Sequence, residues 1–262
     1  MSKHQIATVF VSHGAPTLSL EDIPARWFLA DLGEKYRNIE AVLCISAHWA
    51  TEETAVTATR ELETIHDFSG FPSQLYQIKY PAHGDPNLAG RVAGLLSDAG
   101  IACDMDRKRG LDHGAWVPMR LMFPEADMPV IQLSIQMGLN PERHYSLGQA
   151  LAALREDGVL ILGSGGAVHP LGYAELSPGA VTDGWALEFD DWLTKAVSQG
   201  DKAGLLNYRT AAPFPERAHP YPDHLMPLLT AFGAAGTGAR GKVLHRSWQW
   251  GDLGMGAYEF EI

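Results

Sequence analysis

Cysteine is nearly absent. Cys44 and Cys103 are the two in 262 residues, far apart and outside any CxxC spacing. That excludes a disulfide framework and a thiolate metal site, and it leaves two reduced, buried thiols as the expectation. Long hydrophobic runs are missing too. No stretch approaches the roughly 18 apolar residues of a membrane span. The opening MSKHQIATVF has neither the charged start nor the long apolar centre of a secretory leader, so a cytoplasmic protein without membrane contact is expected. Basic charge is scarce: 20 Lys and Arg face 31 Asp and Glu, a formal charge of −11, which repels phosphate backbones and argues against a nucleic-acid partner. Common catalytic signatures are lacking as well. No GxGxxG follows the first apolar run, and neither GxxxxGK[ST] nor HExxH occurs. GSGG at 163–166 has no following Lys, and Ser164 lacks the GxSxG context of a nucleophile elbow.

What is present is a chain that is 46% hydrophobic and long enough for one large domain over 1–262. Ile6–Ser12, Ala41–Ala47, Val130–Ile135 and Val159–Leu162 are short apolar runs without alternation, as expected of strands covered on both faces. Between them, helical spacing recurs: Ile23, Trp27, Phe28 and Leu32; Leu88, Val92, Leu95 and Leu96; Glu142–Arg155; Trp185, Phe189, Trp192, Leu193 and Val197; and about Asp223–Phe232. Lys242–Trp248 and Met255–Glu261 read as two closing strands. The pattern predicts an α/β fold: one three-layer domain, a mostly parallel central sheet with helices on both faces and an antiparallel edge. Glu61–Asp85 and Arg107–Pro118 carry no such periodicity and are expected to be binding loops.

Histidine is the unusual component. There are 11, and His13, His48 and His169 follow apolar strands directly or through a short loop. In open α/β sheets ligands bind beyond the carboxyl ends of the strands, so these side chains converge where such folds build sites. His113, His219 and His224 lie in turn-rich segments able to reach the same crevice. Any one histidine could simply cap a strand; several together suit a divalent iron, zinc or copper ion with a coordination position left open. His4, His83, His144 and His245 are expected to be surface or structural residues.

SHGAP with His13, SAHW with His48, IHDFSGFP with His66, GLDHGAWVP with His113, GSGGAVHPL with His169, PYPDHLMPLL with His224 and the closing MGAYEF run in order along almost the whole chain. In this combination the sequence resembles the class III extradiol ring-cleavage dioxygenases, and most nearly the DOPA extradiol dioxygenase branch of plants and bacteria. The resemblance implies a single α/β domain, a catechol-type substrate opened beside its hydroxyl pair by O2, and one non-haem divalent metal ion, Zn2+ or Fe2+. It matches His13, His48 and His224 to metal-binding positions, His169 to a base that could serve as a fourth ligand, and His113 to a second active-site histidine. His66, Phe68, Phe71 and Tyr76 are candidate walls of a substrate pocket.

The chain departs from the family pattern at Pro170, where an Asn is usual, at DLGM near the end, and at Asp223 in place of Glu. Pro170 removes an amide beside His169 and so bears on hydrogen bonding there and on substrate range. Asp67 and Asp112 could orient imidazoles, although solvent-facing loop carboxylates are the plainer expectation. Arg107, Lys108 and Arg109 could meet a substrate carboxylate but read as a solvated charge run. Trp49 and Trp116 are expected in the core. Two rival readings use the same histidines: a zinc hydrolase, which lacks an obvious Glu base, and a non-catalytic metal-binding relative. Self-association is left open.

Overall fold

The structure is a computed structural model that describes residues 5–172 and 176–262; His4 lies outside them. The strands are β1 (Thr8–Ser12), β2 (Ala41–Thr51), β3 (Thr54–Thr57), β4 (Cys103–Asp106), β5 (Val130–Gln136), β6 (Val159–Gly165), β7 (Arg240–His245), β8 (Trp248–Gln249), β9 (Leu253–Gly254) and β10 (Ala257–Glu261). The helices are α1 (Pro24–Lys35), α2 (Pro86–Asp98), α3 (His113–Met122), α4 (Pro141–Leu151), α5 (Gly184–Gln199), α6 (Lys202–Leu206), α7 (Tyr208–Ala211), α8 (Pro215–Ala218) and α9 (Met226–Ala235).

Eight strands form one sheet in the order β4-β3-β5-β2-β6-β1-β10-β7. The centre, β5-β2-β6-β1, is parallel, while β10 runs antiparallel to both β1 and β7. Successive side chains point to opposite faces, and both faces are covered, which is why the strand sequences do not alternate. Leu43, Ile45, Ile131, Leu133 and Ile161 join one buried cluster with α2, α4, α5 and α9. Val42, Cys44, Val130, Leu160 and Leu162 join the other with α1 and α3. The domain is therefore the α/β three-layer arrangement expected, with antiparallel edges.

Local expectations differ in four places. Residues 113–118 are not loop but the first turns of α3. Asp112 caps that helix by accepting from the Ala115 N–H at 3.3 Å, and Gly114 and Pro118 conceal it as apparent breakers. The buried face of α1 is Ala25, Leu29, Leu32 and Gly33, not one containing Trp27, which is 56% exposed. A Cβ on Gly33 would lie 1.8 Å from the Met122 carbonyl oxygen, so α1 and α3 meet backbone to backbone and leave no room there for an indole. β4 at the edge and β3 beside it have only four residues each, too short to register as strands. Cys44 is buried as expected, but Cys103 sits half-buried on edge strand β4; both are free thiols. No helix among the described residues is long and apolar enough to cross a membrane.

Candidate metal centre and active site

Each histidine reaches the carboxyl end of the sheet by a different local device. His13 directly follows β1, where Gly14 turns the chain at φ +63°, a conformation open chiefly to glycine. His48 is thrown out of β2: Ser46 pairs with Ser134 and Ala50 with Ile135, so Ala47, His48 and Trp49 bulge from the ladder. His113 is the first residue of α3. His169 follows β6 and is pinned by its own N–H donating to the Ala218 carbonyl at 2.8 Å. His224 lies in the turn before α9, and its carbonyl accepts from the Gly166 N–H at 3.0 Å. His219 is buried apart from the group, 3.0 Å from the Ala167 carbonyl through Nε2.

The result is a tight group of imidazoles. His48 Nε2 lies 3.0 Å from His13 Nε2 and 3.2 Å from His224 Nε2. Nitrogens each about 2.0–2.1 Å from one shared cation would stand about 3.0–3.4 Å apart, so the donor set fits a divalent ion. His113 sits over His48 with ring centroids 3.9 Å apart, and His169 stacks on His224 at 3.4 Å. Both groups of three or more His, Cys, Asp or Glu donors found among the described residues lie here: His13, His48 and His113, and His169, Asp223 and His224.

Two of the rings, His13 and His113, are held from behind by hydrogen bonds. Gly114 lies against the group; a Cβ there would meet Ser46 Oγ at 2.4 Å and His48 Cδ2 at 3.0 Å. Pro118 has no N–H for the Gly114 carbonyl, and the Ser164 hydroxyl donates to that carbonyl instead. Ser164 Oγ, its proton committed, then accepts from His13 Nδ1 at 3.0 Å, which turns the unprotonated Nε2 toward the other rings. Asp67 accepts from the His113 N–H and from His113 Nδ1, both at 2.9 Å, and lies 3.5 Å from His48 Nδ1. Asp223 Oδ1 accepts from the His224 N–H at 2.8 Å; it is also 3.0 Å from His224 Nδ1, but that ring nitrogen has no aligned hydrogen bond.

Asp67 does lie in an exposed loop, although its carboxylate is turned onto His113, whereas Asp112 is not a solvent-facing carboxylate. Asp112 is fully buried, accepting from Ser46 Oγ at 2.6 Å, from Gln132 and from Arg109 at 3.0 Å. Arg109, whose guanidinium also lies 4.7 Å over the Trp49 ring, is a structural cation rather than part of a solvated run. Trp49 and Trp116 are buried in the core.

Burial lowers the pKa of His13, His169 and His224 well below the ordinary imidazole value, and the neighbouring histidines lower it further. Burial and then His113 bring His48 down to about 4, against partial opposition from Asp112, Asp67 and Asp223. Burial pushes Asp67 upward, but its hydrogen bond and charge interaction with His113 prevail and hold it at about 2. His13, His48, His169 and His224 are consequently neutral nitrogen donors beside an ionised carboxylate.

A cavity of about 250 Å³ opens onto His48, His113 and His169 and is otherwise mostly apolar, with Phe68, Phe71, Leu171, Trp250 and Leu253 in its wall. Of the expected pocket residues, Phe68 and Phe71 line it. His66 and Tyr76 do not: His66 Nε2 is 3.0 Å from the Ile78 carbonyl behind Phe68, and Tyr76 is 40% exposed. Trp250 and Leu253 belong to the β8–β9 segment, where the only sequence signal was the DLGM departure. Larger hollows, of about 690 Å³ beside Trp49 and Asp104 and about 540 Å³ beside Glu52, Glu53 and Arg143, contain none of the histidines. Pro170 is buried, and among the described residues no hydrogen bond is made to the His169 ring.

Residues 8–260 match the family model described as the catalytic LigB subunit of aromatic ring-opening dioxygenase. The chain belongs to this dioxygenase family. Curated relatives of this LigB-family chain include "4,5-DOPA dioxygenase extradiol" of Beta vulgaris, 46% identical over 97% of this chain and 96% of that one. Proteins of the same name from Portulaca grandiflora (43% identical, covering 96% and 94%) and Escherichia coli K12 (36% identical, covering 89% and 87%) are also similar. A crystal structure of an uncharacterized Escherichia coli K12 protein superposes with a TM-score of 0.77 at 29% identity, covering 97% of this chain and 99% of the other. The LigB-family chain is an extradiol ring-cleaving dioxygenase, an oxidoreductase that takes an aromatic substrate and O2. LigB-family dioxygenases are metal-dependent, and the histidine cluster supplies donors for the ion.

Proposed function

We propose that Nε2 of His13, His48 and His224 hold one divalent ion, ferrous in the active enzyme, and that the substrate is a small, DOPA-like catechol. The observation that carries this reading is the approach of His48 Nε2 to both other Nε2 atoms, at 3.0 and 3.2 Å. His113 also groups with His13 and His48; what favours His224 as the third ligand is its Nε2 at 3.2 Å from His48 Nε2, while His113 is engaged by Asp67. Three imidazoles and no carboxylate leave the protein part of the site uncharged, which accepts Zn2+ as readily as Fe2+ and with zinc the tighter binder. A zinc-loaded preparation is therefore expected to be inert. The DOPA-like substrate follows from the names of the relatives, and the two free thiols suit a reducing cytoplasm.

When bound, the ion supplies a site at which the diol oxygens and O2 meet and exchange electron density. The protein supplies position, dryness and proton transfer. Phe68 and Phe71 offer ring faces and edges to a flat aromatic substrate and exclude water from it. Among the described residues no hydrogen bond holds the His169 ring, and burial keeps it neutral against the opposing pull of Asp223, so it is suited to take the proton of a catechol hydroxyl. His113 differs. Ionised Asp67 accepts only, so the His113 proton sits on Nδ1 and Nε2 is left to hydrogen-bond the substrate; the carboxylate behind the ring suits His113 to the acid role. In the overall reaction the ring C–C bond beside the hydroxyl pair breaks, and both oxygen atoms of O2 enter the product, one in a carboxylate and one in an aldehyde.

The test is to load the protein anaerobically with Fe2+, add catechols including DOPA, and admit air. Yellow semialdehyde should form with one O2 consumed per product. Full ferrous occupancy without O2 uptake would overturn the proposal.

A further inference from the structure

One wall of the cavity is the side chain of Trp250. Its indole stacks on Phe71, with centroids 6.4 Å apart and planes 20° from parallel. Trp250 also belongs to the wall of a neighbouring hollow of about 420 Å³, bounded by Glu21, Asp22, Pro178 and Trp248. Trp250 therefore borders both the catalytic cavity and a larger acidic-rimmed space. The backbone at Trp250 has φ +53°, a region that bulky side chains rarely occupy and that glycine enters freely. Such a conformation persists only when its surroundings impose it, and it concentrates at ligand clamps and active sites. The preceding residue, Gln249, is fastened at both ends of its amide. Gln249 Oε1 accepts from the Ala15 N–H at 2.7 Å and Nε2 donates to Glu21 at 2.8 Å, which fastens the β8 end to the turn that follows His13.

We propose that Trp250 is the specificity-determining residue of ring cleavage: it limits the length of the ring substituent by separating the 250 Å³ cavity from the 420 Å³ hollow. Catechols with short substituents fit beside Phe71 and Trp250; longer ones collide with the indole. Without the indole the two spaces join, and a long substituent extends toward Glu21 and Asp22. This inference rests on the ring-cleavage reading of the histidine site.

The experiment compares ferrous-loaded wild type, W250G and W250L on 4-methylcatechol and 4-benzylcatechol. Trp250→Gly suits the positive φ, and Trp250→Leu keeps an apolar contact with Phe71, so the test does not depend on one variant folding. The ratio of kcat/KM for the benzyl over the methyl substrate should rise about tenfold or more in W250G and by less in W250L, mainly through KM of the bulky substrate. An unchanged ratio in both variants, or an equal fall for both substrates, would overturn the inference by showing Trp250 to be a support. Wild type that consumes O2 with neither substrate would instead sink the ring-cleavage reading and this inference with it. The two failures are therefore distinguishable.

Discussion

His113 and His169 share one cavity but differ in what stands behind them, and that difference separates their expected variants. His169→Ala removes the proposed base and should lower kcat by about 10²- to 10⁴-fold, with bound metal, read by elemental analysis, unchanged if it is not a ligand. Asp67→Asn leaves His113 without its anionic acceptor; kcat should fall and its pH profile should shift, because the protonated ring loses its stabiliser. A profile identical to wild type would dismiss the acid role. Ser164 does not line the 250 Å³ cavity, yet its hydroxyl sets which His13 nitrogen carries the proton. Ser164→Ala should therefore weaken metal affinity by about 10- to 100-fold, as loss of a partner behind a metal-bound imidazole does. Competition against a chromophoric chelator reads this directly, and unchanged affinity would mean that His13 is oriented by other contacts.

The start of α3 is the element on which the site depends most. Its first turn lies so close to β1 and β2 that a Cβ on Gly114 would stand 3.2 Å from His13 Cε1 and 2.4 Å from Ser46 Oγ. Gly114→Ala should separate His13 from His48, abolish high-affinity metal binding, and cost about 1–3 kcal/mol of stability by overpacking; a thermal melt with a parallel metal titration reads both. This element was the least legible in the sequence. DHGAWVP has Gly and Pro where a helix should have neither, and the reason, a carbonyl freed by Pro118 and taken by Ser164, involves residues far apart in the chain. The central strands were legible because coverage on both faces makes them unbroken apolar runs, and His13, His48 and His169 because each closes such a run. The bulge that projects His48 and the Trp250 wall were not legible, since ladder register and positive φ are set by tertiary contacts. His66 and Tyr76 were misplaced because an aromatic loop sequence does not reveal which ring faces inward.

For the molecule as a whole, buried neutral imidazoles fix the response to acid. His144 is fully buried, Nε2 accepting from the Gln136 N–H at 3.1 Å and Nδ1 donating to the Asn140 carbonyl at 2.8 Å, which ties α4 to the end of β5. Burial brings both His144 and His219 down to about 4. Their folded pKa lies below the unfolded value of about 6.5, so the unfolded chain binds more protons between these limits. Stability is full above about 6.5 and falls as pH drops toward about 4, by up to about 1.4 kcal/mol per pH unit for each group. Denaturant melts of the metal-free protein at pH 7 and 5 should show this loss, and His144→Gln should reduce the slope; an unaltered slope would exclude His144. The sheet order carries one more consequence. β1 lies between β6 and β10, so the strand that presents His13 is enclosed only by residues 159–165 on one side and 257–261 on the other. During synthesis His13 and His48 leave the ribosome long before His224 and β10 exist to gather them. Capture of the ion is therefore an event of the finished polypeptide, and chains cut short ahead of residue 257 should emerge metal-free.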